Sequence, residues 1–180
     1  MEVWPYIVCA GIWMGIILAW LIPMIRQRIV YEIYAAFAVG IMISLLILSW
    51  TMWEKGEVVV LLYVGYGLYV PAFALAVTSV AALKRRGKPT SGWEHTTMLI
   101  EGDVFRLVRH PLYLGGALLN LAILLVTQSI TSIVSGLIGI FCYWMASREE
   151  DKFNIGKFGN SYREYMKEVP MWNAFKGIRK

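Results

Sequence analysis

The sequence VVVLLYVGYGLYVPAFALAVTSVAAL, from Val58 to Leu83, contains 26 consecutive residues and no charged one. A helix needs about 20 predominantly apolar residues to cross the hydrocarbon core of a bilayer. Because backbone polar groups cannot face lipid unless they are hydrogen-bonded, a helix is the expected form of such a segment. These residues therefore predict a membrane-spanning helix that is long enough to tilt.

Four further segments of the chain have the same uncharged, apolar character. They comprise residues 3–25, 33–53, 111–129 and 130–147. The last two are short and are separated by the polar tip Thr127-Gln128-Ser129, which predicts a helical hairpin. The prediction is an all-α polytopic membrane protein: one domain over residues 1–180, with about five transmembrane helices and a C-terminal helical tail.

The composition agrees with this interpretation. Hydrophobic residues make up 58% of the chain and charged residues only 16%, whereas an ordinary soluble domain is about half apolar and about a quarter charged. Long uncharged stretches argue against both a soluble globular chain and a disordered one. Cys9 and Cys142 both lie in predicted spans without any metal-ligand spacing, so the sequence indicates no metal site and no disulfide framework.

The charged residues are distributed unevenly between the two sides of the predicted spans. If five spans alternate in direction, 16 of the 17 Lys and Arg residues fall on one side and only Lys55 on the other. The positive-inside rule then predicts an external N-terminus and a cytosolic C-terminus. The net charge of +5 follows from this topology and from attraction to anionic headgroups, so it does not indicate nucleic acid binding.

Polar side chains are concentrated in two predicted cytosolic segments, the loop 84–110 and the tail 148–180. His95 is expected on the surface of that loop. The spans contain almost no ionisable group, and Glu32 sits at the edge of one. This pattern argues against an ion pump or proton relay, which needs ionisable residues inside the membrane. It favours a functional site at the cytosolic membrane surface.

The loop ends in RHPLYLGG, residues 109–116. Pro111 suits the first turn of a helix, where its missing N–H is no loss, and Arg109 and His110 precede it at the water boundary. Gly115 and Gly116 leave the backbone of that helix without side chains at two consecutive positions. The two glycines either let a ligand approach the backbone or let two helices pack closely.

The tail opens with three consecutive acids, Glu149, Glu150 and Asp151, directly after a cytosolic helix end. There they repel one another, meet the negative end of the helix dipole and face an anionic leaflet. Such a placement suits a cationic ligand. A solvated charged turn, paired with Arg148 and Lys152, accounts for it equally well.

Taken together, these elements resemble the integral-membrane methyltransferases, a superfamily that includes isoprenylcysteine carboxyl methyltransferase and the phospholipid N-methyltransferases. The shared pattern is RHPxYxG, a hydrophobic hairpin, an acidic pair and FGxxYxxY. Here RHPLYLG occupies residues 109–115 and FGNSYREY occupies residues 158–165. The resemblance is detailed over about the last eighty residues, and the helix count agrees for the rest.

The resemblance implies transfer of a methyl group from S-adenosylmethionine to a lipid or lipidated acceptor taken from the bilayer. It also implies a set of cofactor-binding residues: Arg109, His110, Tyr113 and Gly115 on one wall, Glu149 and Glu150 on the other, and Gly65 and Gly67 of a GxG on an earlier span. Arg148 and Glu150 are the expected catalytic residues. Arg148 can orient a carboxylate acceptor, and Glu150 can take a proton from an amine.

Several alternatives stay open at the level of sequence. Counting back from FG without a gap places the acidic pair on Glu150 and Asp151, whereas the pair Glu149 and Glu150 needs one inserted residue. Prenylated cysteine, phosphatidylethanolamine and a small lipophilic metabolite are all possible acceptors. Two other functions compete with methyl transfer: an NADPH-dependent membrane enzyme like the sterol reductases, and a non-catalytic membrane protein with the same fold.

Overall fold

A computed structural model describes residues 3–51, 56–88 and 97–178, and within these ranges the chain contains helices and no β-strand. The helices are α1 (Trp4–Ile16), a π-helical segment (Ile17–Leu21), α2 (Ile22–Gln27), α3 (Val30–Thr51), α4 (Val59–Arg86), a 3-10 turn (Asp103–Arg106), α5 (Pro111–Thr127), α6 (Ile130–Phe158), α7 (Asn160–Glu168) and α8 (Ala174–Ile178). The first three of these segments follow one another as a single helix, Trp4–Gln27. His95 lies outside the described residues.

Four helices in the described ranges are long and apolar enough to cross a membrane: Trp4–Gln27, Val30–Thr51, Val59–Arg86 and Ile130–Phe158. A shorter apolar helix, α5, joins them. The predicted all-α polytopic membrane fold is therefore confirmed. α7 and α8 supply the predicted helical tail after the last long helix.

The last helix extends farther than the sequence predicted. The helix was expected to stop at Ser147, but α6 continues to Phe158. No proline interrupts residues 148–158, and the helix ends at Gly159, whose φ of +61° glycine adopts readily. The extra residues add about three helical turns. They carry the acidic run beyond the apolar part of α6 on a rigid element.

The hairpin between α5 and α6 has well-defined turn chemistry. Gln128 adopts a left-handed conformation with φ of +51°, and Ser129 caps α6 by accepting a hydrogen bond from the backbone N–H of Ser132. The Gln128 side-chain amide bonds both the N–H and the C=O of Val58, at 3.1 and 3.0 Å. The tip is thereby fixed to the residue just before α4.

α5 is the central helix of the bundle and packs against both α4 and α6, while α3 packs mainly against α6. The buried side chains of α5 include Ala117, Leu119, Ala122 and Ile123. Because α5 and α6 are antiparallel, the polar end of α6 returns to the start of α5. RHPLYLG and the acidic run are thus brought together.

Candidate active site

Asp151 is the centre of a buried polar cluster at the start of α5. Its Oδ1 lies 2.8 Å from His110 Nε2 and accepts a hydrogen bond of 2.6 Å from the Tyr162 hydroxyl. Arg109 approaches the same carboxylate with two nitrogens, Nε at 3.3 Å from Oδ1 and Nη2 at 2.9 Å from Oδ2. Only 9% of the Asp151 side chain is exposed. The carboxylate thus joins the loop before α5 to the tail helix α7.

Arg109 also holds the end of the tail. Its Nη1 donates to the backbone carbonyls of Met166 and Val169, and its backbone N–H donates to Pro170 at 3.0 Å. All three guanidinium nitrogens of Arg109 therefore have partners within the protein. These contacts make Arg109 a positioning residue that fixes the tail against the hairpin.

Glu150 is the more accessible carboxylate of the cluster. Its side chain is 29% exposed, whereas that of His110 is only 4% exposed. Glu150 Oε2 lies 3.6 Å from His110 Nδ1, and the Glu150 carboxylate also interacts with the side chains of Tyr113 and Asn154. The Tyr113 ring stacks on the His110 ring with centroids 5.8 Å apart. This arrangement presents a negative group beside an aromatic ring.

Burial opposes the protonation of His110, but its hydrogen bonds with Asp151 and Glu150 outweigh burial and raise the His110 pKa from 6.5 to about 9. Near neutral pH the imidazole is therefore protonated, and it donates from Nε2 to Asp151 while Nδ1 faces the Glu150 carboxylate at 3.6 Å. The cluster then contains two cations, Arg109 and His110, and two carboxylates. Balanced charge explains how so many ionisable groups are tolerated in a buried site.

A pH dependence of stability follows from this shift. Because the folded-state pKa of His110 lies above the unfolded value, its contribution is complete below about pH 6.5 and is lost as the pH rises through about 9. The thermal midpoint of detergent-purified protein is expected to fall across that window. His110→Gln should show a flatter profile; an identical slope in the variant would contradict this assignment.

The other predicted site residues lie in different surroundings. Glu149 Oε1 pairs with Nζ of the exposed Lys152 at 2.6 Å, and the Glu149 side chain itself is 19% exposed. Arg148 is exposed, and its guanidinium carbon lies 4.9 Å from the centroid of the Trp144 ring. Gly115 packs closely on α4, since a Cβ placed there would lie 2.9 Å from the carbonyl oxygen of Ala72. The structure therefore brings together the RHP residues, Tyr113, Glu150 and Asp151, and orients Glu149 away from them.

The GxG of α4 lies farther along the bundle. Gly65 packs against the second half of α5, where a Cβ would meet Val126 at 2.8 Å and the carbonyl oxygen of Ala122 at 2.9 Å. Gly67 is exposed, and a Cβ there would meet nothing within 4 Å. This placement favours a packing role for Gly65. It puts neither glycine beside His110.

The two glycines give a matched pair of substitutions. Gly65→Ala is expected to destabilise the protein by about 1–3 kcal/mol, because a backbone carbonyl has to move. Gly67→Ala is expected to be neutral or stabilising, since alanine favours a helix by about 1 kcal/mol over glycine. Thermal midpoints in one detergent provide the comparison. Weaker S-adenosylhomocysteine binding by Gly67→Ala would instead assign the GxG to the cofactor.

Sequence reasoning missed some members of the site. Asn154 follows Glu150 by four residues, and this spacing on a helix is the signal that could have found it. Tyr162 lies in the FGNSYREY motif, and the structure shows that its hydroxyl donates a hydrogen bond to Asp151. The buried Ser147, whose Oγ accepts a 3.0 Å hydrogen bond from Trp172 Nε1, had no recognisable signal.

The described residues also form an open cleft of about 600 Å³ on the other side of the tail, beside Tyr165. Its charged lining residues are Glu101, Arg106, Glu164 and Glu168. It shares no residue with the cluster around Asp151. Within the described ranges, no group of three or more His, Cys, Asp or Glu side chains is arranged to hold a metal ion.

The fold and this cluster define a polytopic helical membrane protein with a histidine–carboxylate site where the hairpin closes. The family model described as phospholipid methyltransferase matches residues 60–161, which is more than half of the chain. The chain therefore belongs to the phospholipid methyltransferase family, and the resemblance drawn from its motifs is confirmed at that level. Comparison with curated proteins gave no match, and comparison with solved structures gave none either.

Proposed function

We propose that this protein transfers a methyl group from S-adenosylmethionine to a lipid or lipophilic acceptor at the cytosolic surface of the membrane. The observation that carries the proposal is the group formed by Glu150, His110 and Tyr113, in which Glu150 and the Tyr113 ring both lie against His110, inside the region that the family model matches. Glu150 is the accessible carboxylate of a cluster that is otherwise buried. It lies at the end of an apolar helical hairpin, where a lipid headgroup can approach.

The side chains fit the chemical parts of this cofactor. S-adenosylmethionine supplies an electrophilic methyl group on a sulfonium and carries an amino-acid head. Glu150 suits the amino group of that head, and the exposed Arg148 suits its carboxylate. The face of Tyr113 suits a positive sulfur, because an aromatic ring attracts a cation. Asp151 and Arg109 act indirectly by holding His110 and the tail in place.

The expected role of the chain in the transfer is positioning. A methyl group passes in line between two atoms, so the protein has to align the acceptor with the cofactor and exclude water. The packed ends of α5 and α6 provide a rigid platform for this task. The distribution of Lys and Arg supports the proposed orientation, with the N-terminus outside and this platform in the cytosol.

Calorimetry of the purified protein with S-adenosylhomocysteine tests the cofactor, and NADPH serves as the competing ligand. We expect binding of S-adenosylhomocysteine and none of NADPH. Transfer of a radiolabelled methyl group into native lipid extract then tests the reaction and isolates the acceptor. A folded preparation that binds NADPH, or neither ligand, would reject the proposal in favour of a reductase or a non-catalytic protein.

A further inference from the structure

A carboxylate at the start of α3 lies on the same side of the bundle as this site. Glu32 is in the first turn of α3, and its Oε2 accepts a hydrogen bond of 2.8 Å from Trp20 Nε1. Trp20 belongs to the π-helical segment Ile17–Leu21. Such π-helical turns are rare and are frequent at functional sites. The first long helix therefore contributes a donor that fixes the Glu32 carboxylate.

A ring contact joins the start of α3 to α6 close to the cluster. The ring of Tyr31, the neighbour of Glu32, lies 5.1 Å from that of Phe153, which is one turn beyond Glu150 on α6. The start of α3 and the Glu150 turn of α6 are therefore neighbours, and the Tyr113 side chain lies within the electrostatic range of both Glu150 and Glu32.

The position of Glu32 in the first turn of a helix is favourable, because the helix dipole stabilises an acid there. The helix dipole would stabilise an acid in this first turn equally well if its side chain faced solvent. The dipole therefore does not explain why the Glu32 carboxylate is hydrogen-bonded to Trp20. A carboxylate whose orientation is fixed by a second helix is typical of a side chain that binds a ligand.

The surrounding charges suggest the ligand. Arg26 lies in the last turn of α2, Arg28 caps that helix, and both side chains are exposed. Two cations and one anion therefore fall within residues 26–32. A headgroup that carries a phosphate and an amine has the complementary charges.

We propose that Glu32 binds the amino group of the methyl acceptor and that Trp20 fixes the orientation of its carboxylate. This inference rests on the proposed methyl transfer and adds an acceptor site built by the first two long helices. Both residues lie outside residues 60–161, so membership of the family does not assign them a role. An amine beside a phosphate is what a member of the phospholipid methyltransferase family is expected to methylate, and the inference adds the residues that would hold this amine.

The proposed step balances in atoms and charge. The bound ammonium releases one proton to the Glu32 carboxylate, which passes it to water. The nitrogen lone pair then forms a bond to the methyl carbon while the sulfur–carbon bond breaks, and that electron pair stays on sulfur. The products are S-adenosylhomocysteine and a methylated ammonium that carries the positive charge lost by the sulfonium.

The test compares Glu32→Gln with the unchanged protein in two measurements. One is S-adenosylhomocysteine binding by calorimetry; the other is radiolabelled methyl transfer to phosphatidylethanolamine in vesicles that also contain phosphatidylcholine. We expect unchanged binding and a kcat/KM lower by about tenfold or more, the size of effect that follows loss of a hydrogen bond to a charged group. The change is expected in both KM and kcat, because Glu32 binds the amine and also accepts its proton.

A pair of tryptophan substitutions controls for general damage to the first helix. Trp20→Phe removes the indole donor to Glu32, and we expect a smaller loss of methylation. Trp13→Phe removes a comparable indole hydrogen bond, 3.0 Å long, to Ser44. We expect Trp13→Phe to leave methylation unchanged.

The outcomes separate this inference from the function on which it rests. Full methylation by Glu32→Gln would overturn the inference, and so would loss of S-adenosylhomocysteine binding, which would place Glu32 in the cofactor pocket. Methylation of a prenylcysteine carboxylate, with none of phosphatidylethanolamine, would also overturn it while the proposed function stands. Failure of the unchanged protein to bind S-adenosylhomocysteine would reject the proposed function itself.

Discussion

Replacement of Asp151 by asparagine is expected to destabilise the folded protein by about 3–5 kcal/mol, the range found when one partner of a buried ion pair is removed. Asp151 receives hydrogen bonds from Arg109, His110 and Tyr162, and 9% of its side chain is exposed. The variant would leave two cations in a buried site with only Glu150 to balance them. Because Arg109 also holds the carbonyls of the tail, the tail is expected to detach from the hairpin.

The thermal midpoint in detergent measures this effect, and a fall of roughly 10 °C is expected from the scaling of soluble domains of this size. Asp103→Asn is a matched control. Asp103 pairs with Arg86 at 3.1 Å in an exposed position, and exposed ion pairs contribute little. Asparagine also tolerates the left-handed backbone at Asp103, with φ of +55°. Equal shifts in the two variants would contradict the central role of Asp151.

Limited proteolysis measures the expected detachment of the tail from the hairpin. Limited proteolysis of Asp151→Asn is expected to cut within residues 159–178 at protease concentrations that leave the unchanged protein intact. Tyr162→Phe, which removes only one of the hydrogen bonds to Asp151, is expected to give an intermediate rate. Protection of the tail in all three proteins would show that other contacts, such as Trp172 with Ser147, are sufficient to hold it.

The spans could be predicted from sequence because they depend on a local property. An uncharged apolar segment of sufficient length has to form a helix in lipid, whatever its neighbours do. Hydropathy does not mark the point where such a helix leaves the membrane and continues in water. Hydropathy therefore did not predict that α6 continues beyond Ser147. The charged residues that follow are good helix formers, and the helix ends only before Gly159.

The division of roles among the three acids could not be predicted in the same way. Consecutive residues of a helix point about 100° apart, so Glu149, Glu150 and Asp151 face three directions. Which direction meets α5, which meets the tail and which meets water depends on how α6 packs. The structure places Asp151 toward Arg109, Glu150 toward Tyr113 and Glu149 toward Lys152.

The motif residues were recognisable, but their partners were not. RHPLYLG identified the correct end of α5, yet nothing in it shows that the Arg109 side chain turns to the tail. The contact between Trp20 and Glu32 joins two helices through a π-helical turn. A hydropathy pattern contains no signal for such a turn, because the residues stay apolar through it.

Glu150→Gln is expected to weaken S-adenosylhomocysteine binding by about 10- to 100-fold, since a hydrogen bond to a charged group contributes about 1.5–3 kcal/mol and each 1.4 kcal/mol is a factor of ten. Glutamine keeps nearly the same shape, so the contacts with Tyr113 and Asn154 can persist. The change removes the negative charge that the proposed site offers to the amino group of the cofactor. Methyl transfer should fall at least as far as binding.

Glu149→Gln is the matched control, because it alters the same side chain one position away. Glu149 pairs with the exposed Lys152 and not with His110 or Tyr113, so its substitution is expected to change neither binding nor methyl transfer. Circular dichroism and size-exclusion profiles establish that both variants are folded, and titration at saturating ligand separates weak binding from loss of active protein. A larger effect from Glu149→Gln than from Glu150→Gln would place the cofactor site on the side of α6 that carries Glu149 and Lys152. If the two substitutions had equal effects, the cofactor would be bound by the pair Glu149 and Glu150 and not by Glu150 alone. The Glu149 carboxylate, which pairs with Lys152, would then have to turn toward the ligand when it binds.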